Sequence, residues 1–316
     1  MKIIVTGGAG FIGSHIVDRY LKLGHEVFIF DNLSTGKREN INLKANFYQV
    51  DIRDKTKIGL LFKKIKPDVL NHHAAQLDVR KSVANPVFDA EVNILGLLNL
   101  LEAGKKNNLK KVVFASSGGV IYGDVKIIPT PENYYPFQPV SPYGVAKLAS
   151  EQYLYYYYKA YKIPYIALRY ANVYGPRQDP YGEAGVVAIF TQKLLNKESP
   201  LINGDGKQTR DYVFVSDVVE TNVLSLNSSF IGALNIGTEK ETSVKEIFHL
   251  LANLTESKAK EKHGPPKIGE QKRSSLETSQ AKKILGWIPR FTLSQGMRET
   301  VEFFNNLHDQ KTQKRR

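Results

Sequence analysis

The sequence predicts an α/β fold, a doubly wound parallel sheet with a smaller, discontinuous C-terminal domain. Strand-like and helix-like segments alternate through the first half of the chain, which is typical of βα units in a parallel sheet. Several strand-like segments are continuous apolar runs, as expected where helices cover both faces. After Asn172 the sequence turns to loops rich in Gly and Pro, which indicates a second domain over the ligand-binding edge of the sheet.

The elements of the first half follow in alternating order. The predicted strands are Lys2–Thr6, Glu26–Asp31, Asn46–Asp51, Asp68–Asn71, Lys111–Ser116 and Tyr165–Arg169. The clearest helical patterns between them are Phe11–Leu23, Lys55–Ile65 and Pro86–Lys106. We expect residues 1–171 with 211–238 to form the sheet domain, and residues 172–210 with 239–316 to form the smaller one.

The composition is that of a soluble globular protein with 316 residues, 42% hydrophobic and 24% charged. The chain has no cysteine, which excludes disulfides and thiolate metal sites. It shows no signal-peptide pattern, and no apolar run approaches the roughly 18 residues of a membrane span. We therefore expect a cytoplasmic protein without a membrane partner.

The net charge of +13 raises the question of nucleic-acid binding. The lysines and arginines are dispersed, however, and part of the excess lies in the last six residues, Lys311–Arg316. No nucleic-acid-binding module is recognisable. We expect no nucleic-acid partner, and some of the charge favours an anionic substrate.

A glycine-rich turn follows the first strand and begins a helix, with the spacing Gly7-x2-Gly10-x2-Gly13. Glycines there allow a tight turn and a close approach of backbone N–H groups to a pyrophosphate, so the sheet is expected to be of the Rossmann type. Asp31 ends the second strand 18 residues after Gly13, where a carboxylate binds ribose hydroxyls and favours NAD over NADP. Further polar contacts are expected from Asn32, Ser34, Thr35, Gly36 and, at the adenine, Asp51. The alternative is a structural turn without a ligand.

Tyr143 and Lys147 are one helical turn apart and share a face. An ammonium near a phenol lowers the pKa of the phenol and makes it a usable proton acceptor. The same spacing recurs at Tyr122/Lys126, Tyr155/Lys159 and Tyr158/Lys162, so spacing alone is weak. The pair at 143 is distinguished by the glycine loop, by Ser116-Ser117 upstream, and by Ser141-Pro142 as a helix start.

These residues resemble the extended short-chain dehydrogenase/reductase family over nearly the whole chain. Within that family, the chain is most similar to the epimerases that act on UDP-sugars. The glycine loop, Ser117, Tyr143 and Lys147 match the cofactor loop and catalytic triad of the family. The more specific stretches are Asp31–Gly36, His73–Arg80, Ser116–Gly123, Leu168–Arg177 and Gly204–Tyr212. The resemblance implies that NAD also contacts Phe11, Ile12, Ile52, Ala74, Ala75, Gln76, Asn93, Tyr143 and Lys147.

The implied activity is inversion at C4 of UDP-glucose or UDP-galactose, and of their acetamido forms, through a transient 4-keto sugar with NAD kept bound. Tyr143 would remove the hydroxyl proton, Ser117 would hold that oxygen, and Lys147 would keep the tyrosine ionised. Ser116 is the alternative to Ser117. The resemblance further implies that the UDP moiety is bound by Asn172, Arg210 and either Arg273 or Lys267.

Two sequence features bear on the reaction and on the sugar. Related dehydratases carry an acidic pair beside the catalytic serine or threonine, and related decarboxylases carry a glutamate in the same area. Here Gly118 and Gly119 occupy these places, which favours simple epimerisation. Ser274 aligns with a bulky tyrosine of epimerases restricted to unacetylated sugars, so we expect room for an N-acetyl group. The remaining alternatives are another nucleotide-sugar oxidoreductase, dehydratase or decarboxylase, and a non-catalytic NAD-binding regulator.

Three other features have simpler interpretations. Adjacent side chains on a strand face opposite ways, so His72-His73 makes a poor metal chelate, and we expect no metal site. Asp211 is either a general base or, preferably, a structural partner of Arg210. The tyrosines at 153 and 155–158 are typical of a buried interface. By resemblance, helices 86–106 and 143–161 would pair with a second copy to form a homodimer.

Overall fold

We describe residues 1–181, 185–266 and 271–313 of a computed structural model of the chain, with side chains to residue 308. Seven parallel strands form the central sheet in the order β11-β6-β5-β4-β1-β2-β3. They are β1 Lys2–Thr6, β2 Glu26–Asp31, β3 Asn46–Gln49, β4 Val69–His72, β5 Lys111–Ser117, β6 Tyr165–Tyr170 and β11 Gly232–Ile236. This confirms the predicted doubly wound parallel sheet.

Helices cover both faces of the sheet. They are α1 Phe11–Lys22, α2 Lys55–Ile65, α3 Val79–Ala84, α4 Pro86–Ala90, α5 Gly96–Lys106, α6 Gly118–Ile121, α7 Pro142–Tyr161, α8 Val186–Leu195, α9 Val215–Asn227, α10 Val244–Leu254, α11 Ser279–Leu285 and α12 Leu293–Gln313. Strand β1 is buried on both sides, because Ile3 and Val5 join one apolar cluster with α1, α9 and α11, whereas Ile4 joins another with α2, α5 and α7. The continuous apolar runs of the sequence reflect this double burial.

Several predicted boundaries need correction. The third strand ends at Gln49 rather than Asp51, because the Val50 N–H still reaches Asp31 O while Asp51 O accepts from Asp54 N in a turn. The fourth strand is displaced by one residue, to Val69–His72. The predicted helix 86–106 contains a π-helical turn at Glu91–Leu95 between α4 and α5. The strand β11 was not predicted.

Apart from β11, α9 and α11, which belong to the sheet and its helices, the segments after β6 build a smaller layer beside the sheet. Its short strands are β7 Asn172–Tyr174, β8 Leu201–Asn203, β9 Thr209–Arg210, β10 Tyr212–Phe214, β12 Thr242–Ser243 and β13 Lys262–Gly264. They pair as β10–β7, β12–β9 and β13–β8. A third apolar cluster joins α8, α10 and α12, with Phe190, Phe248 and Met297 among its buried members. The predicted residue division between two domains remains a prediction.

Among the described residues, no helix combines the length and apolarity needed to cross a membrane.

Candidate active site

The strand order reverses between β1 and β4, which connect to helices on opposite faces. In open α/β sheets, ligands bind in the crevice that this reversal opens at the carboxyl ends of the strands. The glycine loop follows β1, and His73–Gln76 follow β4, so both line the crevice. The candidate catalytic residues follow β5, which is next to β4.

The glycine loop leaves no room for side chains at two of its positions. A Cβ on Gly13 would lie 2.2 Å from Gly7 O, and a Cβ on Gly7, whose φ is +67°, would lie 2.7 Å from Ala74 N. The N-cap of α1 is Gly10, and no side chain accepts hydrogen bonds from the first turn. The N–H groups of Phe11, Ile12 and Gly13 are therefore placed to bind an anion. The loop fits a pyrophosphate.

Asp31 ends β2 beside this loop and is only 7% exposed. Its Oδ2 accepts a hydrogen bond from Ala9 N at 3.0 Å, and its Oδ1 accepts one from Leu33 N at 2.8 Å. A Cβ on Gly36 would lie 2.7 Å from the same carboxylate. Burial raises the pKa of Asp31, and the two backbone N–H groups oppose that shift. The carboxylate is thus fixed at the strand end, where a ribose is expected.

Asp51 has a different environment. Arg53 donates to both carboxylate oxygens, at 3.0 and 2.8 Å, and Asn32 Nδ2 donates to Oδ2 at 3.0 Å. These hydrogen bonds lower the pKa of Asp51 to about 2. The neighbouring Ile52 is 5% exposed and packs against Gly96 of α5, where a Cβ would lie 2.6 Å from Ile52 Cδ1. The contact of Asp51 with the adenine and that of Ile52 with NAD remain predictions.

The two histidines at the end of β4 are held by different partners. His72 Nδ1 lies 2.6 Å from Thr6 Oγ1, and the same hydroxyl accepts from the N–H groups of His73 and Ala74. The Thr6 hydroxyl therefore donates to His72 Nδ1. His73 stacks on Tyr170 instead, with Nε2 3.2 Å from the phenol oxygen. Burial lowers the pKa of both histidines, to about 3 for His73. Within the part of the chain that the structure describes, no acidic or histidine cluster could hold a metal ion.

The loop beyond the histidines is tied to the π-helical turn. Asn93 Nδ2 donates to Gln76 O at 2.9 Å, and Asn93 Oδ1 accepts from Gln76 N at 3.1 Å. Both side-chain amides also donate to one carboxylate oxygen of Asp89. A π turn widens a helix locally and is frequent at functional sites. Here it turns Asn93 inward to hold the loop that carries three predicted cofactor residues.

Tyr143 and Lys147 start α7, whose first turn is capped by Ser141 Oγ accepting from Gly144 N at 3.1 Å. Lys147 is 5% exposed, and its Nζ donates to Ala115 O of β5 at 2.8 Å. The same nitrogen lies 5.7 Å from the centre of the Tyr143 ring and 4.7 Å from that of Phe114. The predicted pair is therefore assembled against the carboxyl end of β5.

The expected lowering of the Tyr143 pKa is wrong for this structure. Burial raises the pKa of Tyr143, and the Asp89 carboxylate raises it further. Burial also lowers the pKa of Lys147 to about 8, which Asp89 and Glu151 oppose. Sequence spacing reveals the nearby ammonium but not the desolvation of both groups, which here has the larger effect.

The two serines at the end of β5 have separate environments. Ser116 is 3% exposed and donates to Glu151 Oε1 at 2.6 Å. Glu151 also forms a buried ion pair with Arg169, at 2.6 Å. Ser117 is half-buried and directly precedes α6. The structure thus gives Ser116 a structural partner, which favours Ser117 as the residue that meets a substrate.

The expected phosphate-binding residues lie in the smaller layer. Arg210 ends β9, which pairs with β12, and Lys272 O accepts from Thr209 N, so Arg273 follows beside this strand. Glu241 accepts from Arg273 Nε at 2.9 Å and from its Nη2 at 2.5 Å. Asn172 begins β7, which pairs with β10 in the same layer. Lys267 lies outside the described residues.

Asp211 is buried and anchors the backbone. Its carboxylate accepts from Thr238 N, from Thr238 Oγ1, from Glu239 N and from Leu276 N. Burial raises its pKa, and these hydrogen bonds oppose the shift. This environment favours a structural role over that of a general base. Ser274 lies two residues before Leu276 and is 7% exposed.

The two glycines after Ser117 are not equivalent. A Cβ on Gly118 would lie 2.4 Å from Leu276 Cδ1, whereas the nearest atom to a Cβ on Gly119 is Ser117 Oγ at 3.9 Å. A side chain at the first position would therefore require Leu276 to shift, whereas the second position has space. Leu276 was missed in the sequence because only the fold brings residue 276 against residue 118.

Sequence reasoning also missed Asp89 and Glu151, which are 1% and 5% exposed. Glu151 lies one turn after Lys147, so helical spacing could have revealed it. Asp89 lies four residues before Asn93, but neither spacing nor composition indicates that its carboxylate is buried.

The chain is also similar to proteins of known structure. The chain resembles the crystal structure of UDP-glucose 4-epimerase with UDP-glucose from Thermotoga maritima, with a TM-score of 0.96, 47% identity and coverage of 98% of this chain and 100% of that chain. It also resembles the Thermus thermophilus UDP-glucose 4-epimerase in complex with NAD, with a TM-score of 0.91, 43% identity and coverage of 96% of this chain and 99% of that chain. A third similar structure is the UDP-N-acetylglucosamine 4-epimerase from Methanobrevibacter ruminantium in complex with UDP-N-acetylmuramic acid. Its TM-score is 0.91 at 36% identity, and the match covers 97% of this chain and 98% of that chain.

A family model covers most of the chain as well. The model for the NAD-dependent epimerase/dehydratase family matches residues 3–237, from the first strand of the sheet to the end of β11. The matched range contains the glycine loop, Asp31, Ser117, Tyr143 and Lys147. The chain therefore belongs to the NAD-dependent epimerase/dehydratase family.

Proposed function

We propose that this protein is a UDP-sugar 4-epimerase, which inverts C4 of UDP-glucose or UDP-galactose through a transient 4-keto sugar. The observation that carries the proposal is the placement of Tyr143 and Lys147 at the carboxyl end of β5, beside Ser117 and the glycine pair. This arrangement offers one proton acceptor and no acid in the places where dehydratases need one. The named solved structures that the chain resembles are UDP-sugar 4-epimerases, which supports the same activity.

NAD, when bound, supplies the hydride acceptor and returns the hydride. The uncapped first turn of α1 would hold its pyrophosphate, and the Asp31 carboxylate, which Ala9 N fixes in place, would accept hydrogen bonds from its ribose. The Lys147 ammonium, held by Ala115 O, reaches the nicotinamide ribose in this proposal. A 2′-phosphate would be repelled by Asp31, so NAD is favoured over NADP.

Tyr143 takes the proton of the C4 hydroxyl while C4 loses its hydride, and Ser117 holds the oxygen that becomes the ketone. The 4-keto sugar then turns about its link to the diphosphate. With the hydride that bound NAD would supply delivered to the opposite face of C4, Tyr143 would return the proton to the oxygen. No net oxidation occurs, so the only change is the configuration at C4.

The UDP moiety is bound from the smaller layer in this proposal. Arg210 at the end of β9 and Arg273 beside that strand would supply two cations for the diphosphate, with Asn172 at the start of β7 as a further contact. Lys267 remains the alternative cation. Ser274 leaves room for an N-acetyl group, so we include UDP-GlcNAc among the substrates. The M. ruminantium structure, an enzyme named for UDP-N-acetylglucosamine, supports that inclusion.

We further propose a homodimer formed through the helices 86–106 and 143–161. On the first, Val87 and Leu95 are 68% and 52% exposed. On the second, Val145 and Tyr156 are 50% and 52% exposed. Exposed apolar and tyrosine side chains on two adjoining helices form a surface typical of a protein interface. Sedimentation of the wild type and of Leu95→Glu tests this, because the proposal requires the charged variant to shift towards the monomer.

The activity is tested with purified protein and no added NAD. UDP-glucose and UDP-GlcNAc are incubated separately, and their C4 epimers are resolved by chromatography. Formation of UDP-galactose supports both the activity and a retained cofactor, and formation of UDP-GalNAc supports the role of Ser274. Conversion that occurs only after NAD addition supports the activity but contradicts retention, and no conversion in either case contradicts the proposed function.

A further inference from the structure

Arg169 of β6 is a buried cation next to the segment that carries Ser117. It is 5% exposed and pairs in register with Ser116 of β5. Its Nε donates to Glu151 Oε1 at 3.0 Å, and its Nη2 donates to Glu151 Oε2 at 2.6 Å. A buried ion pair is weak evidence for stability, because the desolvation of both charges opposes their attraction. The neighbours of this pair indicate another task.

The Glu151 carboxylate ties two of the catalytic segments to each other. Glu151 lies on α7, one helical turn after Lys147 and about two after Tyr143. Its Oε1 also accepts from Ser116 Oγ at 2.6 Å, at the end of β5. By holding both oxygens of this carboxylate, Arg169 joins the helix of the tyrosine to the strand that leads into the second catalytic segment.

The remaining nitrogen of Arg169 reaches the far side of that segment. Its Nη1 donates to the hydroxyl oxygen of Tyr122 at 2.8 Å, and the guanidinium lies 5.2 Å from the centre of the same ring. Tyr122 directly follows α6, the short helix that begins with Gly118 immediately after Ser117. Its hydroxyl donates onward to Asn235 Oδ1 of β11 at 2.7 Å, so the phenol is itself fixed. Arg169 therefore holds α7 and the end of α6 at once.

We propose that Arg169 is a positioning residue of the reaction, which sets the placement of Ser117 relative to Tyr143 by joining the end of α6 to α7. It acts through Glu151 and Tyr122 rather than on the substrate. The planar guanidinium suits this task, because it presents its N–H donors in a rigid fork. This inference rests on the proposed function, because Ser117 and Tyr143 are taken to act on the same oxygen of the sugar.

Tyr122→Phe tests the proposal with little change in shape. It removes the hydroxyl that accepts from Arg169 and keeps the ring beneath the guanidinium. The matched control is Tyr157→Phe, on α7 itself. Tyr157 is 5% exposed and its hydroxyl donates to Glu102 Oε1 of α5 at 2.6 Å, so the control also removes one phenol hydrogen bond, on the α5 side of the helix. Thermal unfolding establishes that each variant is folded and how much stability it loses.

Two readouts are measured on the wild type and on both variants. Initial rates over a range of UDP-glucose concentrations give kcat and KM. Hydrogen exchange followed by mass spectrometry reports on peptides 114–121 and 142–148 without turnover. We expect Tyr122→Phe to lower kcat about tenfold with KM within about twofold, because the reacting groups are displaced while the UDP-binding residues are not. Exchange in the two peptides should become about threefold faster or more.

The control separates positioning from general stability. Tyr157→Phe should keep kcat, and the exchange of both peptides, within about twofold of the wild type, although it also loses a hydrogen bond of α7. If the wild type converts UDP-glucose and the two variants lose kcat equally at a similar loss of stability, the inference is overturned. An unchanged kcat in Tyr122→Phe overturns it as well.

The outcomes also separate this inference from the proposed function. If the wild type does not convert UDP-sugars, the proposed function fails, and the exchange data still decide whether Arg169 joins α6 to α7. Faster exchange in Tyr122→Phe alone supports that link, and unchanged exchange contradicts it. Should Tyr122→Phe not fold, Arg169→Lys keeps the charge but loses the fork that reaches Glu151 and Tyr122 together, and it is held to the same expectations.

Discussion

Helix α7 carries two Tyr-x3-Lys pairs, and their environments are opposite. At Tyr143 and Lys147 the lysine is 5% exposed and donates to Ala115 O at 2.8 Å. At Tyr155 and Lys159 the tyrosine is 50% exposed, and the lysine lies 5.4 Å above its ring without leaving the surface. The pairs are separated by 12 positions, which rotates the second by roughly 120° around the helix axis.

Burial, rather than spacing, therefore makes one Tyr-x3-Lys pair chemically different from the other. Burial lowers the pKa of Lys147 to about 8, whereas the exposed pair stays in contact with water, which screens its charges. The third match, at Tyr122, is buried as well, but its hydroxyl donates to Asn235 Oδ1 and accepts from Arg169 Nη1. That hydroxyl is therefore engaged both as donor and as acceptor, and it is not available to take a proton from a substrate.

The two tyrosines should differ most in the loss of kcat when each is replaced by phenylalanine. Tyr143→Phe should lower kcat for UDP-glucose epimerisation by about 10³-fold or more, because it removes the proton acceptor. Tyr155→Phe should leave kcat within about twofold of the wild type. The measurement is initial rates at saturating UDP-glucose, with thermal unfolding as a check that both variants are folded. Comparable losses of kcat in the two variants would show that burial does not determine which tyrosine acts.

The two lysines should differ in their effect on the pH dependence of kcat. Because the pKa of Lys147 is about 8, the ammonium form dominates below that pH and is lost above it. We expect kcat of the wild type to fall as the pH rises through about 8. Lys147→Met should lower kcat by about 10²-fold and abolish that alkaline limb.

The matched control is Lys159→Met, which should retain the alkaline limb. A wild-type profile that stays flat to pH 10 would mean that the charge of Lys147 does not govern turnover. A limb that persists in Lys147→Met would assign it to another group.

Substitution of each serine at the end of β5 shows which of the two acts with Tyr143 and Lys147. Ser117→Ala should lower kcat about tenfold or more without a change in stability, since its hydroxyl is proposed to hold the substrate oxygen. Ser116→Ala should lower the free energy of unfolding by about 2 kcal/mol, because it leaves the buried Glu151 carboxylate short of one donor. Denaturant unfolding and initial rates on both variants give the two values. The reverse result would place Ser116 at the substrate.

Much of this arrangement could be predicted from the sequence, because local patterns determine it. The glycine spacing after β1 and Asp31 at the end of β2 are read within one βα unit, and the structure places both at the crevice. The catalytic pair lies within one helical turn. Such short-range patterns predicted six of the seven strands of the sheet to within two residues at their ends, and they did not predict β11.

The rest depends on contacts between distant segments. Leu276 reaches Gly118 across 158 positions, and no pattern in either segment indicates that contact. The direction of the Tyr143 pKa depends on the burial of the phenol and on the Asp89 carboxylate, and neither can be read from the spacing of Tyr143 and Lys147. Arg273 was expected from the resemblance, but its pairing with Glu241 became visible only in the fold.

The smallest expected effect concerns the exposed pair itself. Lys159 lies 5.4 Å from the centre of the Tyr155 ring and 5.7 Å from that of Tyr158, and cation–π contacts at exposed positions contribute little. Lys159→Met should therefore move the midpoint of thermal unfolding by no more than about 2 °C. It should also leave kcat unchanged, as measured by differential scanning calorimetry and initial rates on the same preparations. A marked loss of kcat with an unchanged midpoint would show that the exposed pair influences the reaction, and the contrast between buried and exposed pairs would then no longer explain which tyrosine acts.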